Sequence, residues 1–186
     1  MCSMFYTRKG DDGTTKIFGC DQRVSKSSKI VEALGALDEL NSYLGVCKVK
    51  VKDSGFKVGE ETFEEIVLKL QKDLFIIQAE VAGADKTISD DKITWLESII
   101  AEIEMTLPPI HTFTISGETD LSSNFDFSRT LARRAERRVI GVVEEGTVKI
   151  SEDTSVYLNR LSSLLYALAR LSAHISGKKE GAPDYK

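Results

Sequence analysis

Apolar residues recur at three- and four-residue steps through most of this chain, and that period constrains the fold more than anything else in it. Ser27 or Ser28 can cap a first helix, with Glu32 near its first turn and Ile30, Ala33, Leu34, Leu37, Leu40, Asn41 and Leu44 on one stripe. Residues 48–59, rich in Lys with Gly55 and Gly59, read as a loop. A second helix is expected from about Glu60 to Ala84, with Phe63, Ile66, Leu70, Leu74, Ile77 and Val81 inside. Ser89 can cap a third, which Pro108-Pro109 ends. A fourth is expected from about Ser123 to Glu145. A fifth starts at Ser151 and turns Val156, Leu161, Leu164, Leu165, Leu168 and Leu171 inward. Strand alternation is confined to short stretches near Ile110–Ile115 and Val148–Ile150. The expected fold class is all-α, a five-helix antiparallel bundle behind an irregular N-terminal segment. We read one domain: residues 1–27 a ligand-binding loop, 28–176 the bundle and 177–186 a flexible polar tail. Met4, Phe5 and Phe18 are expected to pack the loop against the bundle.

Two polar segments stand out against that apolar background. Tyr6-Thr7-Arg8-Lys9-Gly10-Asp11-Asp12-Gly13-Thr14-Thr15-Lys16 is punctuated by glycines and rich in hydroxyls and cations. Gly10 and Gly13 allow the backbone to approach an anion closely, and Lys26 adds charge nearby. Asp11 and Asp12 could hold a neighbouring helix, or Mg²⁺ through water. The fourth helix carries Arg129, Arg133, Arg134, Arg137 and Arg138 around a single Glu136. Arg129, Arg133, Glu136, Arg137 and Ile140 share one side, while Arg134 and Arg138 lie on an adjoining face. Stacked like charges cost stability unless anions or carboxylates neutralise them. Together the two segments would suit a polyphosphate, although neither GxxxxGK[ST] nor GxGxxG occurs. Asp38 sits beside the first apolar stripe, where it either takes a partner such as an arginine of the fourth helix or stands as an exposed surface aspartate. Asn159, in Tyr157-Leu-Asn159-Arg160-Leu-Ser162, could bond a ligand or serve only the bundle. His111 and His174 lack zinc-ligand spacing and read as structural, so no protein metal site is expected.

The bulk numbers narrow the setting. The chain has 186 residues and a net charge of −4, which argues against nucleic acid or an anionic membrane as partner. Three cysteines, Cys2, Cys20 and Cys47, make neither a disulfide framework nor a zinc site and suit a reducing compartment. The expected location is cytoplasmic, or mitochondrial for a chain that has lost a targeting extension.

Taken jointly, these segments resemble the PduO-type ATP:cob(I)alamin adenosyltransferases. The loop resembles the family's Y-T-R-x-G-D-x-G-x-T segment, and Arg23-Val-Ser-Lys26 its R-V-x-K step. Ala33 to Ser42 resembles the first-helix signature. Arg129-Thr-Leu-Ala-Arg133-Arg134-Ala-Glu136-Arg137 is similar to R-x-x-x-R-R-A-E-R, and Tyr157 to Ser162 to Y-L-N-R-L-S. The resemblance implies a homotrimer with active sites between subunits, using ATP, Mg²⁺ and reduced cobalamin to make adenosylcobalamin and triphosphate. It implies that Thr7, Arg8, Lys9, Gly10, Thr15, Lys16 and Lys26 grip ATP from one subunit. Arg133, Arg134, Glu136, Arg137 and Asn159 would grip it from the neighbour. Asp38 would pair with Arg129 across the interface, and Phe113 would lie beneath the corrin and displace its lower ligand. A flavin reductase and an adenosylcobalamin-dependent enzyme are the implied protein partners.

The sequence departs from that family's pattern around the corrin side. Phe113-Thr-Ile-Ser-Gly-Glu118 lacks the family's proline and second glycine, and Asn124-Phe125-Asp126-Phe127-Ser128 replaces a stretch that often carries histidine. A carrier of ATP and adenosylcobalamin with slow turnover is therefore a second reading. A helical interaction module with a basic groove is a third.

Overall fold

The computed structural model describes residues 5–18, 22–179 and 181–185. Among these the chain forms five helices: α1 (Lys29–Val51), α2 (Phe63–Val81), α3 (Asp90–Thr106), α4 (Asp120–Glu145) and α5 (Glu152–Ile175). In the bundle, α2 packs on α1, α1 on α4, α4 on α5 and α5 on α3. No helix among the described residues is long and apolar enough to cross a membrane. The expected stripes are the buried ones. Leu37, Leu40 and Leu44 of α1, Ile66, Leu70 and Leu74 of α2 and Leu161, Leu164, Leu165 and Leu168 of α5 are fully buried. Each such side chain contributes roughly 2 kcal/mol of transfer free energy, so α5 is the most firmly held element.

Helix boundaries moved where local chemistry outweighs periodicity. The first helix continues past the expected loop start to Val51, because Cys47 and Val51 extend the buried stripe beyond Leu44. The second begins at Phe63 rather than Glu60. Residues 57–62 are taken by a short antiparallel hairpin, β3 (Lys57–Val58) with β4 (Glu61–Thr62). Thr62 and Glu65 then close a reciprocal capping box. A similar box between Thr119 and Ser122 starts α4 three residues before the expected Ser123.

The N-terminal segment is less irregular than expected. It holds an antiparallel ladder between Thr14–Lys16 and Arg23–Ser25, which we call β1 and β2. It does not pack through its aromatic residues. Phe5 is 89% exposed and Phe18 75% exposed, while Met4 lies outside the described residues. Polar ties to the hairpin's own backbone hold the segment instead. The segment expected to be a flexible tail makes one backbone bridge: Ile115 N–H donates to Gly181 O at 2.8 Å, and Gly181 N–H to Glu118 Oε1 at 3.1 Å.

Buried polar groups set the register of α5. Asp73 of α2 accepts from the Tyr157 hydroxyl at 3.0 Å and from Lys92 of α3 at 2.6 Å. Glu80, 5% exposed, accepts from the Ser151 N–H at 2.7 Å and from the Thr154 hydroxyl. Its carboxylate thus sits at the start of α5, where the helix dipole favours negative charge. Replacing Glu80 with Ala would leave the buried Thr154 hydroxyl without its acceptor. The expected loss is about 2–4 kcal/mol, read as a lower urea midpoint with an unchanged slope. A loss below about 0.5 kcal/mol would mean that apolar packing alone places α5.

Candidate active site

The N-terminal hairpin is built around backbone acceptors and clustered cations. Asp12 accepts from the Thr14 N–H at 2.9 Å and the Thr14 hydroxyl at 2.7 Å. These bonds, with Arg23 nearby, hold its carboxyl below the usual range. Arg23 donates through Nε to the Thr14 hydroxyl at 2.6 Å and through Nη2 to Thr14 O at 2.8 Å. Lys26 Nζ reaches back to Gly10 O at 2.7 Å. A Cβ on Gly10 would meet Thr14 O at 3.1 Å and Lys26 Nζ at 3.2 Å, so the turn closes tightly there. Arg8 adopts a left-handed φ of 59° and places its guanidinium 5.5 Å from the Tyr6 ring. Thr7 Oγ1 accepts from the Lys9 N–H at 3.4 Å. Thr15 is half-buried opposite Val24, and Lys16 stands opposite Arg23. One small element thus gathers Arg8, Lys9, Lys16, Arg23 and Lys26.

The arginines of α4 divide into two stripes. Arg134 pairs with Glu39, and Arg138 lies 3.7 Å from Glu32, both carboxylates being on α1. That stripe docks α4 on α1, and with Lys26 and Gly35 it lines a charged cleft. The other stripe faces away from α1. Arg129 Nε lies 3.2 Å from Asp126 Oδ1, and its guanidinium sits 5.7 Å from the Tyr166 ring. Glu136 accepts from Asn159 Nδ2 at 3.1 Å, and Asn159 Oδ1 accepts from Arg160 at 2.9 Å. Arg133 and Arg137 are exposed and make no ion pair or side-chain hydrogen bond among the described residues.

Arg133 and Arg129 form one wall of a cavity of about 780 Å³. The opposite wall is the segment from Ile110 to Ser116, and Tyr166 and Ser162 of α5 close the base. Phe113 lines this cavity with 79% of its surface exposed. Asp38 is exposed on α1 and has no ion pair within its own chain among the described residues. The cavity therefore gathers Arg129, Arg133 and Phe113. It does not gather the hairpin, whose Lys26 reaches the opposite, α1-facing stripe.

Sequence reasoning missed Tyr166, and it placed Asp126 only within the altered stretch from Asn124 to Ser128. Tyr166 was hidden among the inward leucines of α5, but Asn159, Ser163, Tyr166, Arg170 and His174 recur at helical steps and form the helix's one polar stripe. His111 and His174, read as structural, are both exposed and line cavities. Phe125 is fully buried and stacks edge-on against Phe63 in the core, whereas Phe127 leans on Tyr43 at the surface. No group of three or more His, Cys, Asp or Glu side chains among the described residues could hold a metal ion.

The family model for cobalamin adenosyltransferase matches residues 5–172. The chain belongs to that family. The corrinoid adenosyltransferase PduO of Salmonella typhimurium is 40% identical over 172 residues, which is 89% of this chain and 48% of that protein. The chain thus spans about half the length of that relative. It covers 93% of a corrinoid adenosyltransferase of Citrobacter freundii, with 34% identity over 173 residues and 89% of this chain matched. Among solved structures, a variant PduO-type ATP:corrinoid adenosyltransferase from Lactobacillus reuteri, complexed with cobalamin and ATP, superposes with a TM-score of 0.85. Its identity is 27%, over 97% of each chain. Cobalamin adenosyltransferases are therefore the frame in which the arginine stripe and the Phe113 cavity are to be read.

The two stripes differ in what they do for stability. Arg134→Ala removes a partly exposed ion pair and should lower the urea midpoint by an amount equivalent to about 1 kcal/mol or less. Arg133→Ala removes no partner and should leave the midpoint unchanged. An Arg133→Ala chain destabilised as much as Arg134→Ala would assign Arg133 to the scaffold.

Proposed function

We propose that this chain transfers the 5′-deoxyadenosyl group of ATP to the cobalt of a reduced corrinoid, releasing triphosphate. The observation that carries this reading is Arg133, without a partner among the described residues, beside the exposed Phe113 in one cavity. Reduced cobalt is itself the nucleophile. Its electron pair attacks C5′, the C5′–O bond breaks, and the bonding electrons leave on the triphosphate. What the protein must add is alignment and a positive field where charge grows on the leaving group. Arg133 and Arg137 supply that field. Phe113 offers an apolar platform to the lower face of the corrin, excluding water and axial ligands and easing reduction of the cobalt. Mg²⁺, which would further neutralise the triphosphate, would arrive on the phosphate oxygens of ATP.

The site is completed between copies of the chain, in a homotrimer. Within one chain the hairpin's Lys26 lines the cleft facing α1, not the cavity of Arg129 and Arg133. The hairpin residues Thr7, Arg8, Lys9, Gly10, Thr15, Lys16 and Lys26 grip ATP for the neighbour's Arg133 stripe. Asn159 and Glu136, already bonded to each other, orient the nucleotide at its edge. Arg134 is the exception among the expected ATP ligands: its pairing with Glu39 suits an indirect role, holding α4 in place. Asp38, without an ion pair among the described residues, pairs with Arg129 across the interface in competition with Asp126. Reduced cobalt also requires a reducing compartment, cytoplasmic or mitochondrial, and a one-electron donor such as a flavin reductase. An adenosylcobalamin-dependent enzyme consumes the product.

Anaerobic turnover of cob(I)alamin with Mg-ATP, followed by loss of the Co(I) absorbance and release of triphosphate, tests the activity. Arg133→Ala should lower kcat/KM at least about 100-fold while leaving the urea midpoint in place. Near-normal turnover would remove Arg133 from the leaving-group role. Asp38→Asn should shift the sedimenting species from trimer toward monomer at micromolar concentration. An unchanged trimer with unchanged kinetics would detach Asp38 from the interface.

A further inference from the structure

The Phe113 cavity has a neighbour of different chemistry. Residues 110–114 act as a partition: Ile110, His111, Thr112 and Thr114 line the Phe113 cavity on one side and a second cavity of about 450 Å³ on the other. The far wall of that second cavity carries Arg170, His174, Lys178 and Lys179, and none of the described residues lining it is acidic. The arrangement is built into the fold. Arg170 is 9% exposed and its Nη2 donates to Pro108 O at 3.2 Å, fixing the floor against the chain segment above it. Lys178 follows the end of α5, where its N–H donates to Ala173 O at 3.0 Å and sets the direction in which the two lysines leave the helix. The side chains of His174, Lys178 and Lys179 make no ion pair or hydrogen bond among the described residues. Tyr166 and Arg170 lie one turn apart on the polar stripe of α5, so the stripe runs from the Phe113 cavity, past a third cavity that both residues line with Glu104, to the basic one.

We propose that this basic cavity is a subsite for the phosphodiester of the corrinoid's nucleotide tail. The proposal rests on the reading that the corrin ring occupies the Phe113 cavity. The amide side chains around a cobalamin ring are neutral. Its permanently ionised side group is the phosphodiester that joins the ring's edge to the benzimidazole nucleotide. When Phe113 takes the lower face of the cobalt, that nucleotide is released from the metal and swings beside the ring. A cavity sharing a wall with the ring site, lined by cations and with no carboxylate among the described residues that line it, receives the phosphodiester by charge-assisted hydrogen bonds. Binding there would hold the tail away from the cobalt during transfer.

Cobinamide, which has the corrin ring but lacks the phosphodiester and the nucleotide, separates the two sites. In the Lys178→Ala/Lys179→Ala double variant, the KM for cob(I)alamin should rise about five- to tenfold with kcat little changed, since two charged contacts are lost. The KM for reduced cobinamide should not move. Equal shifts for both corrinoids, or no shift for either, would overturn the subsite. Inorganic triphosphate is the control for a free anion: inhibition by it should be the same in both proteins. Weakened triphosphate inhibition with an unchanged cob(I)alamin KM would assign the cavity to released product and likewise overturn the proposal. The adenosyl-transfer reading fails in a different way, through absence of turnover of either corrinoid by the unsubstituted chain.

Discussion

The rest of the structure depends on how α4 carries five arginines, from Arg129 to Arg138, without driving itself apart. Like charges one turn apart destabilise a helix, and no carboxylate within α4 faces the Arg134–Arg138 stripe. The carboxylates come from α1. Glu39 takes Arg134 and Glu32 takes Arg138, so one stripe becomes an electrostatic seam between two helices whose apolar stripes already meet. Each pair is partly exposed and worth little, and the two reinforce the rotation of α4 that its buried stripe from Leu131 to Val142 sets. That rotation turns Arg133 and Arg137 outward into open space. The scaffold and the site are thus two faces of one helix, separated by roughly 100° for each residue step.

A second polar layer performs the same service for α5. Burial pushes the Tyr157 phenol well up, and the adjacent Asp73 carboxylate reinforces the shift, so the group stays a neutral donor. Lys92 balances Asp73 from α3, and Glu80 holds the first turn of α5. Apolar contacts alone would let a leucine-rich helix slide or rotate, because one leucine surface resembles the next. Hydrogen bonds to single acceptors do not allow that. With α5 fixed, Ser162, Ser163 and Tyr166 face the cavity beneath Phe113.

The bundle was legible in the sequence because its signal is a period, repeated over many turns and reinforced by Ser151 and Pro108-Pro109 at the ends. Periods do not report short polar motifs. Hence the β1–β2 ladder, the β3–β4 hairpin and the Thr119–Ser122 box were missed, each depending on a few side-chain bonds to backbone. The arginine face was legible as an excess of like charge. Which arginines stay open was not, since Glu32 and Glu39 lie about a hundred residues away in sequence. Tyr166 was obscured for the opposite reason, standing between buried leucines in a segment that reads as core. The aromatic residues of the N-terminal segment were read as anchors on general grounds of burial, but the hairpin's bonds to its own carbonyls make such anchors unnecessary.

Their exposure carries its own argument. Phe5, Phe18 and Phe113 stand largely in solvent, although covering each such ring would gain roughly 2–3 kcal/mol. A chain that buries Phe63 and Phe125 completely does not lack room in its core for aromatic residues. The exposed rings flank the two elements that the proposed reaction must bring together, the cationic hairpin and the Phe113 cavity. In the proposed reaction a corrin face would cover Phe113, and a neighbouring copy would cover the hairpin. The free energy withheld from the fold of one subunit then becomes available to assembly and substrate binding. In such an arrangement, docking of the neighbour and closure of a dry, positively charged pocket are one event. For the proposed reaction, a nucleophile as reactive as Co(I) would be best kept in such a pocket, where water and oxidants are least able to reach it.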